Sequence, residues 1–181
     1  MSTLPPSSES ETETTWEITV EVYASLAEAD AVAELERVAA ATLSAEEAVE
    51  GASLSVVLVD DTEIATLNQQ YRRVAGPTDV LAFAMQEDDA FIRAVDTPQE
   101  LGDVVISVET ARRQAASLGH DVAAELALLV IHGCLHLLGY DHGDRSAQAQ
   151  FWERQAAILT GCGYPDVGAE RPELHEQADD V

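Results

Sequence analysis

Read as a string of apolar and polar positions, the chain changes period several times. WEITVEVY (16–23) places apolar side chains at alternate positions, the pattern of a strand with one wet face. SLAEADAVAELERVAAATL (25–43) repeats instead at three and four and is rich in helix formers, with Ser25 as its N-cap. ASLSVVLVD (52–60) is predicted as a second strand, and DTEIATLNQQY (61–71) as a short helix capped by Asp60 or Asp61. VAGPTD breaks the chain before the short apolar strand VLAFAM (80–85). Acidic QEDDAFIRAVDTPQE (86–100) is a loop, GDVVISV (102–108) is another strand, and it runs into the helix ETARRQAASLG.

Asp121 then caps a segment that is apolar nearly all round, VAAELALLVIHGCLHLL, ended by Gly139. A helix of that kind belongs in the middle of a domain. RSAQAQFWERQAAILTG follows as a final amphipathic helix. Strands are interspersed with helices, and two of the strands are joined by a break too short for a helical crossover. The prediction is an α+β fold with a mixed sheet of about four strands around a central buried helix. Residues 1–15 form a Ser/Thr/Glu-rich tail expected to be disordered, residues 16–163 a single domain, and residues 164–181 a second acidic tail.

Composition changes this picture in one respect. The chain of 181 residues is long enough for a sizeable core, but it carries 34 acidic residues against nine basic ones, all arginine. Nine of the acids lie in the tails, so the body itself is acidic. A surface of that sign repels polyanions at ordinary salt and, taken alone, argues against a nucleic-acid ligand. A salt-rich cytoplasm would screen the repulsion, and we carry that forward as a hypothesis. Two cysteines, Cys134 and Cys162, form no disulfide framework and suit a reducing compartment. The N-terminus has neither the basic nor the apolar region of a secretory signal. The longest apolar run, Val122 to Leu138, is short for a membrane span and is interrupted by Glu125, His132 and His136. A cytoplasmic protein without a membrane partner is expected.

The candidate chemistry lies in HGCLHLLGYDH (132–142), which holds three of the five histidines. His132 and His136 are four apart on the predicted helix, so they share a face with Cβ atoms roughly 6 Å apart. Two imidazole nitrogens on one tetrahedral zinc lie about 3.4 Å apart, a gap that rotamers can close. Gly139 and the turn after it let the chain bend back, and His142 can supply a third ligand. Three protein ligands leave a fourth position for water, the pattern of a catalytic site. The competing reading is two hydrogen-bonded core histidines and one on a loop. Metal is favoured, because two histidines on one face of an apolar helix need partners to be buried. The spacing begins like the H-E-x-x-H of zinc proteases, but Gly133 stands where their glutamate would be, so a peptidase lacks its general base. Cys134 points elsewhere on the helix and is read as packing.

The histidine pattern, together with LNQQYRRVAGPTDVLAF (67–83) and LGDVVIS (101–107), resembles the YbeY family of bacterial endoribonucleases over residues 16 to 160. The resemblance implies a zincin-like fold, with one zinc ion held by His132, His136 and His142 plus water, and Arg72 as the functional arginine. It implies action on single-stranded RNA, in 3′-end maturation of small-subunit ribosomal RNA and in ribosome quality control, with the small subunit or its proteins as partners. Ala82 and Ala84 depart from the family's usual Ser and Pro in that strand, and the absence of lysine is unusual for an RNA enzyme.

Zinc would act as a Lewis acid and lower the pKa of water, and Arg72 would offer a planar fork to phosphate oxygens. No general base is identifiable. Asp141 and Asp144 are open between orienting an imidazole and serving as turn or cap residues. Asp103 is assigned a structural role. Thr78 and Asp79 either shape a groove or follow from turn chemistry after Pro77. Two other readings remain, a ribosome-assembly factor braced by a structural metal and a different zinc hydrolase.

Overall fold

The alternating segments pair into one sheet of order β1-β2-β4-β3, with β1 at Glu17–Val22, β2 at Ser53–Val59, β3 at Val80–Ala84 and β4 at Glu100–Ser107. This computed structural model describes residues 16–23, 29–85, 99–141 and 144–168. β1, β2 and β4 run parallel, and β3 pairs antiparallel with β4 at the edge. Among the described residues five α-helices accompany the sheet: α1 at Ala29–Ala45, α2 at Asp61–Leu67, α3 at Val108–Leu118, α4 at Val122–Leu137 and α5 at Arg145–Gly161. The α+β class and the mixed four-stranded sheet are as expected. Ser25, most of the acidic 86–100 segment and His142 lie outside the described residues.

Alternation decides which helix meets which face. Leu54, Val56 and Leu58 of β2 and Val104 and Ile106 of β4 point into the main core with α1, α4 and α5. Val57, Val59 and Val105 face the other way, where Ile64 and Leu67 of α2 cover them. Beyond α2 that outer face is polar. A groove of about 330 Å³ there is lined by Glu21, Glu63 and Asp103 among others. Asp103 is therefore exposed on the side of the sheet away from α4.

α4 is enclosed by α1, α3, α5, β3 and β4. Every residue from Ala124 to Leu135 is buried. Each large aliphatic side chain so buried contributes about 1.5–3 kcal/mol, which is why an apolar helix is stable only in this position. Glu125, a carboxylate in the first turn of that helix, is fully buried and meets His120 Nε2 at 2.5 Å. Asp121 occupies the N-cap position, but its side chain makes no capping bond there, a correction to the sequence reading. Three other described helices have side-chain caps. Asp60 accepts from Glu63 N, Ser107 from Thr110 N, and Asp144 from the backbone of Ser146 and Ala147.

The helix predicted over 61–71 divides. After Leu67 it widens into a π turn, Asn68–Arg72, which ends where Arg73 adopts φ 58°. Asn68 Nδ2 donates to Gly76 O at 3.0 Å and so ties the loop back onto the turn. At the far end of β3, Gly102 has φ 128°, and a Cβ there would collide with Phe83 O, so β4 needs glycine beside Ala84. Packing continues past Gly163: Tyr164 OH donates to Glu34 Oε1 at 2.7 Å, and Val167 is buried. No single described helix is long and apolar enough to cross a membrane.

Candidate metal centre

Helical geometry brings His132 and His136 together as their spacing predicts. Their Nε2 atoms are 3.1 Å apart and the ring centroids 4.7 Å apart, on the last two turns of α4. Two nitrogens on one tetrahedral zinc would be separated by about 3.4 Å, so opening the pair by a few tenths of an ångström suits such an ion. The rings therefore converge at their Nε2 edges, and the donor set is chemically right for a borderline metal. His132 is buried and His136 half-buried. Phe151 of α5 packs against both, with centroids at 5.0 Å from His132 and 5.1 Å from His136.

One of the pair has a further partner that the sequence reading missed. Gln155 of α5 is fully buried, and its Oε1 lies 3.1 Å from His132 Nδ1. A signal was present. Phe151, Gln155, Ile158 and Leu159 form the buried stripe of α5, and a polar residue on an apolar stripe asks for a polar neighbour.

Among the described residues no group of three His, Cys, Asp or Glu side chains converges to hold an ion. His142, the expected third ligand, stands outside them. Cys134 lies in the main core, and burial pushes its thiol up to about 12, so it offers no thiolate at neutral pH. Gly133 faces the sheet, where a Cβ would lie 2.8 Å from Val104 Cγ2 and closer still to Cγ1. The wall of β4 thus excludes the glutamate of a zinc protease.

Arg72 closes the π turn and is partly exposed. From there the chain runs through Pro77 into β3, the edge strand that packs on α4. Asp79 anchors this stretch. It is 1% exposed, and its carboxylate accepts from Val80 N and Gln114 Nε2, each at 2.8 Å, and from Thr78 Oγ1 at 3.2 Å. Its own carbonyl accepts from Ser107 N at 2.9 Å. Of the two readings offered for Thr78 and Asp79, Asp79 fits the structural one, because its carboxylate is committed inward. Asp144 likewise serves as a cap, with its carboxyl held below the usual range by the amides of Ala147 and Ser146. Asp141 is exposed beside the bend.

Comparison with known proteins places these features in a family. The profile described as Endoribonuclease YbeY matches residues 17–163. The Endoribonuclease YbeY of Moorella thermoacetica is 48% identical, over 71% of this chain and 85% of its own. That of Roseiflexus castenholzii is 42% identical, over 81% of this chain and 91% of its own. The solution structure of TM1509 from Thermotoga maritima superposes with a TM-score of 0.54 at 26% identity, covering 82% of this chain and 89% of that one.

Proposed function

The chain belongs to the YbeY endoribonuclease family, and on that footing we propose that it is a zinc-dependent endoribonuclease. Its substrate is single-stranded RNA, and its cellular role is maturation of the 3′ end of small-subunit ribosomal RNA in the cytoplasm. The observation that carries this reading is the convergence of the His132 and His136 Nε2 atoms at 3.1 Å on a helix packed into the core. His132, His136 and His142 of the following bend would hold the ion. When bound, zinc supplies Lewis acidity toward a phosphoryl oxygen and a nucleophile at neutral pH.

The chain's own residues supply the rest. Arg72 presents five donors in a planar fork that matches phosphate oxygens in two-point contact. Its turn is tied to the following loop by Asn68 on Gly76, and the far end of that loop is tied to α3 by Asp79 and Gln114. Phe151 excludes water from one side of the imidazole pair. The acidic body is compatible with an RNA substrate where salt screens it.

The test is cleavage of single-stranded against duplex RNA by the zinc-loaded chain, with and without chelator, followed in parallel by circular dichroism. Loss of single-strand cleavage with the fold intact is the expected result. Unfolding on chelation would assign the metal a bracing role instead and favour an assembly factor.

A further inference from the structure

We infer that Gln155 is a positioning residue that fixes the tautomer of His132, leaving its Nε2 lone pair turned toward His136. The functional meaning of this rests on the metal reading above; the hydrogen bond itself does not.

A buried glutamine is costly unless its amide is satisfied, and a carbonyl oxygen can only accept. Gln155 is 0% exposed, and it is Oε1, not the amide nitrogen, that lies 3.1 Å from His132 Nδ1. Nδ1 must then carry the ring proton. In a neutral imidazole the other nitrogen is consequently an acceptor, and here that nitrogen is the one 3.1 Å from His136 Nε2. In the metal-free chain the short contact is a hydrogen bond from His136 to His132.

Turning the amide over would reverse the outcome. Its NH₂ would face Nδ1, the ring proton would move to Nε2, and the lone pair needed by a cation would be lost. On α5, Gln155 sits one turn from Phe151, whose ring packs on both imidazoles. α5 therefore contributes no ligand of its own from this stripe, yet it decides whether a ligand on α4 is ready. Partners of this kind, accepting from the far nitrogen of a histidine ligand, change metal affinity about 10- to 100-fold when removed.

The experiment uses the full chain stripped of metal. Long-range proton–nitrogen NMR of the imidazoles, with His132 assigned by the signals lost in His132→Gln, reads the tautomer directly. Zinc affinity is read by competition with a chelator. We expect Nδ1–H on His132 in the wild type. Gln155→Leu should abolish that bias and weaken zinc about 10- to 100-fold, while Gln155→Glu, which still accepts, stays within about tenfold of wild type. Nε2–H on His132 in the wild type would overturn the inference, as would a Leu variant that binds zinc as tightly as wild type. If Gln155→Leu fails to fold, the wild-type tautomer and the Glu variant decide, and a Glu variant weakened beyond tenfold counts against the inference. A wild-type chain that binds no zinc yet shows Nδ1–H would sink the proposed function and leave the positioning by Gln155 standing.

Discussion

Gly133 lies against Val104 so closely that a Cβ on residue 133 would come within 2.8 Å of Val104 Cγ2. The contact sets the depth at which α4 sits on β4, and with it the height of His132 and His136 above the sheet. Gly133→Ala should therefore destabilise the fold, since the overlap of about 1–3 kcal/mol exceeds the roughly 1 kcal/mol that alanine gains in a helix. Urea midpoints of the two proteins measure the difference. An Ala variant as stable as wild type would mean that Val104 gives way and that the spacing is not set here.

His136→Ala removes one of two converging nitrogens while leaving the rest of α4 in place. Zinc content and RNA cleavage should fall together, to background. Full zinc occupancy measured by metal analysis in that variant would take His136 out of the ligand set.

Arg72→Ala separates binding of the ion from the chemistry. Zinc content should be unchanged and turnover reduced on the order of 10²–10³-fold, the usual effect of losing one donor to a charged transition state. Arg72→Lys should recover only part of this, because a point charge cannot make the two-point contact. Wild-type turnover in Arg72→Ala would end the phosphate role.

Asp61 ties the starts of α2 and α3 together. Its carboxylate accepts from Ser107 Oγ at 2.6 Å, Thr110 Oγ1 at 2.7 Å and Arg113 Nη1 at 2.7 Å. Burial pushes the carboxyl up, but the hydrogen bonds of Arg113, Ser107 and Thr110 together outweigh it and hold it below the usual range. A carboxyl lowered on folding stabilises the fold above its unfolded pKa, and that contribution disappears as pH falls through the folded value. Asp61→Asn should lower stability by about 1 kcal/mol near neutral pH, a figure discounted for partial exposure, and the gap to wild type should narrow as pH falls below the ordinary carboxylate range. Urea titrations of both proteins across that range measure it. A gap that stays constant with pH would remove the carboxylate's charge from the explanation.

Salt provides a test of the surface. With 34 acidic residues against nine arginines, self-repulsion in the folded state should be relieved by screening. Urea midpoints should rise along a KCl series, and RNA affinity should not fall with salt as steeply as for a basic nuclease. Stability that declined with added KCl would count against a salt-adapted host.

Much of this was legible in the sequence because it depends on period. The two faces of β2 and β4, the enclosed α4 and the shared face of His132 and His136 all follow from counting positions. Strand order was not legible. Nothing local to β3 says that it lies outside β4 and runs against it, since that is decided by packing between distant segments. The π turn at Asn68–Arg72 reads as ordinary helix in the sequence, and the bond from Asn68 to Gly76 in the following loop has no local pattern to announce it. In the sequence, Asp79 is open between a groove role and a turn role. Its burial depends on Gln114, which is 35 residues away. Gln155 can be read as a polar break in the apolar stripe of α5, but its partner, on another helix, cannot.

The parallel pairing has a consequence in time. Glu17 sits opposite Ser53 and Leu54 opposite Gly102, so neither junction can form until a long intervening stretch has been drawn in. Such topologies close slowly, because chain entropy is lost before contacts compensate. α4 meanwhile has nowhere to hide its aliphatic surface until the strands have assembled and α5, which follows it in the chain, has been synthesised. The nascent protein accordingly passes through a sticky interval in which a holdase would find a natural client. The imidazole pair, set by spacing along α4, gains its Phe151 wall only when α5 has docked and the architecture around it is finished.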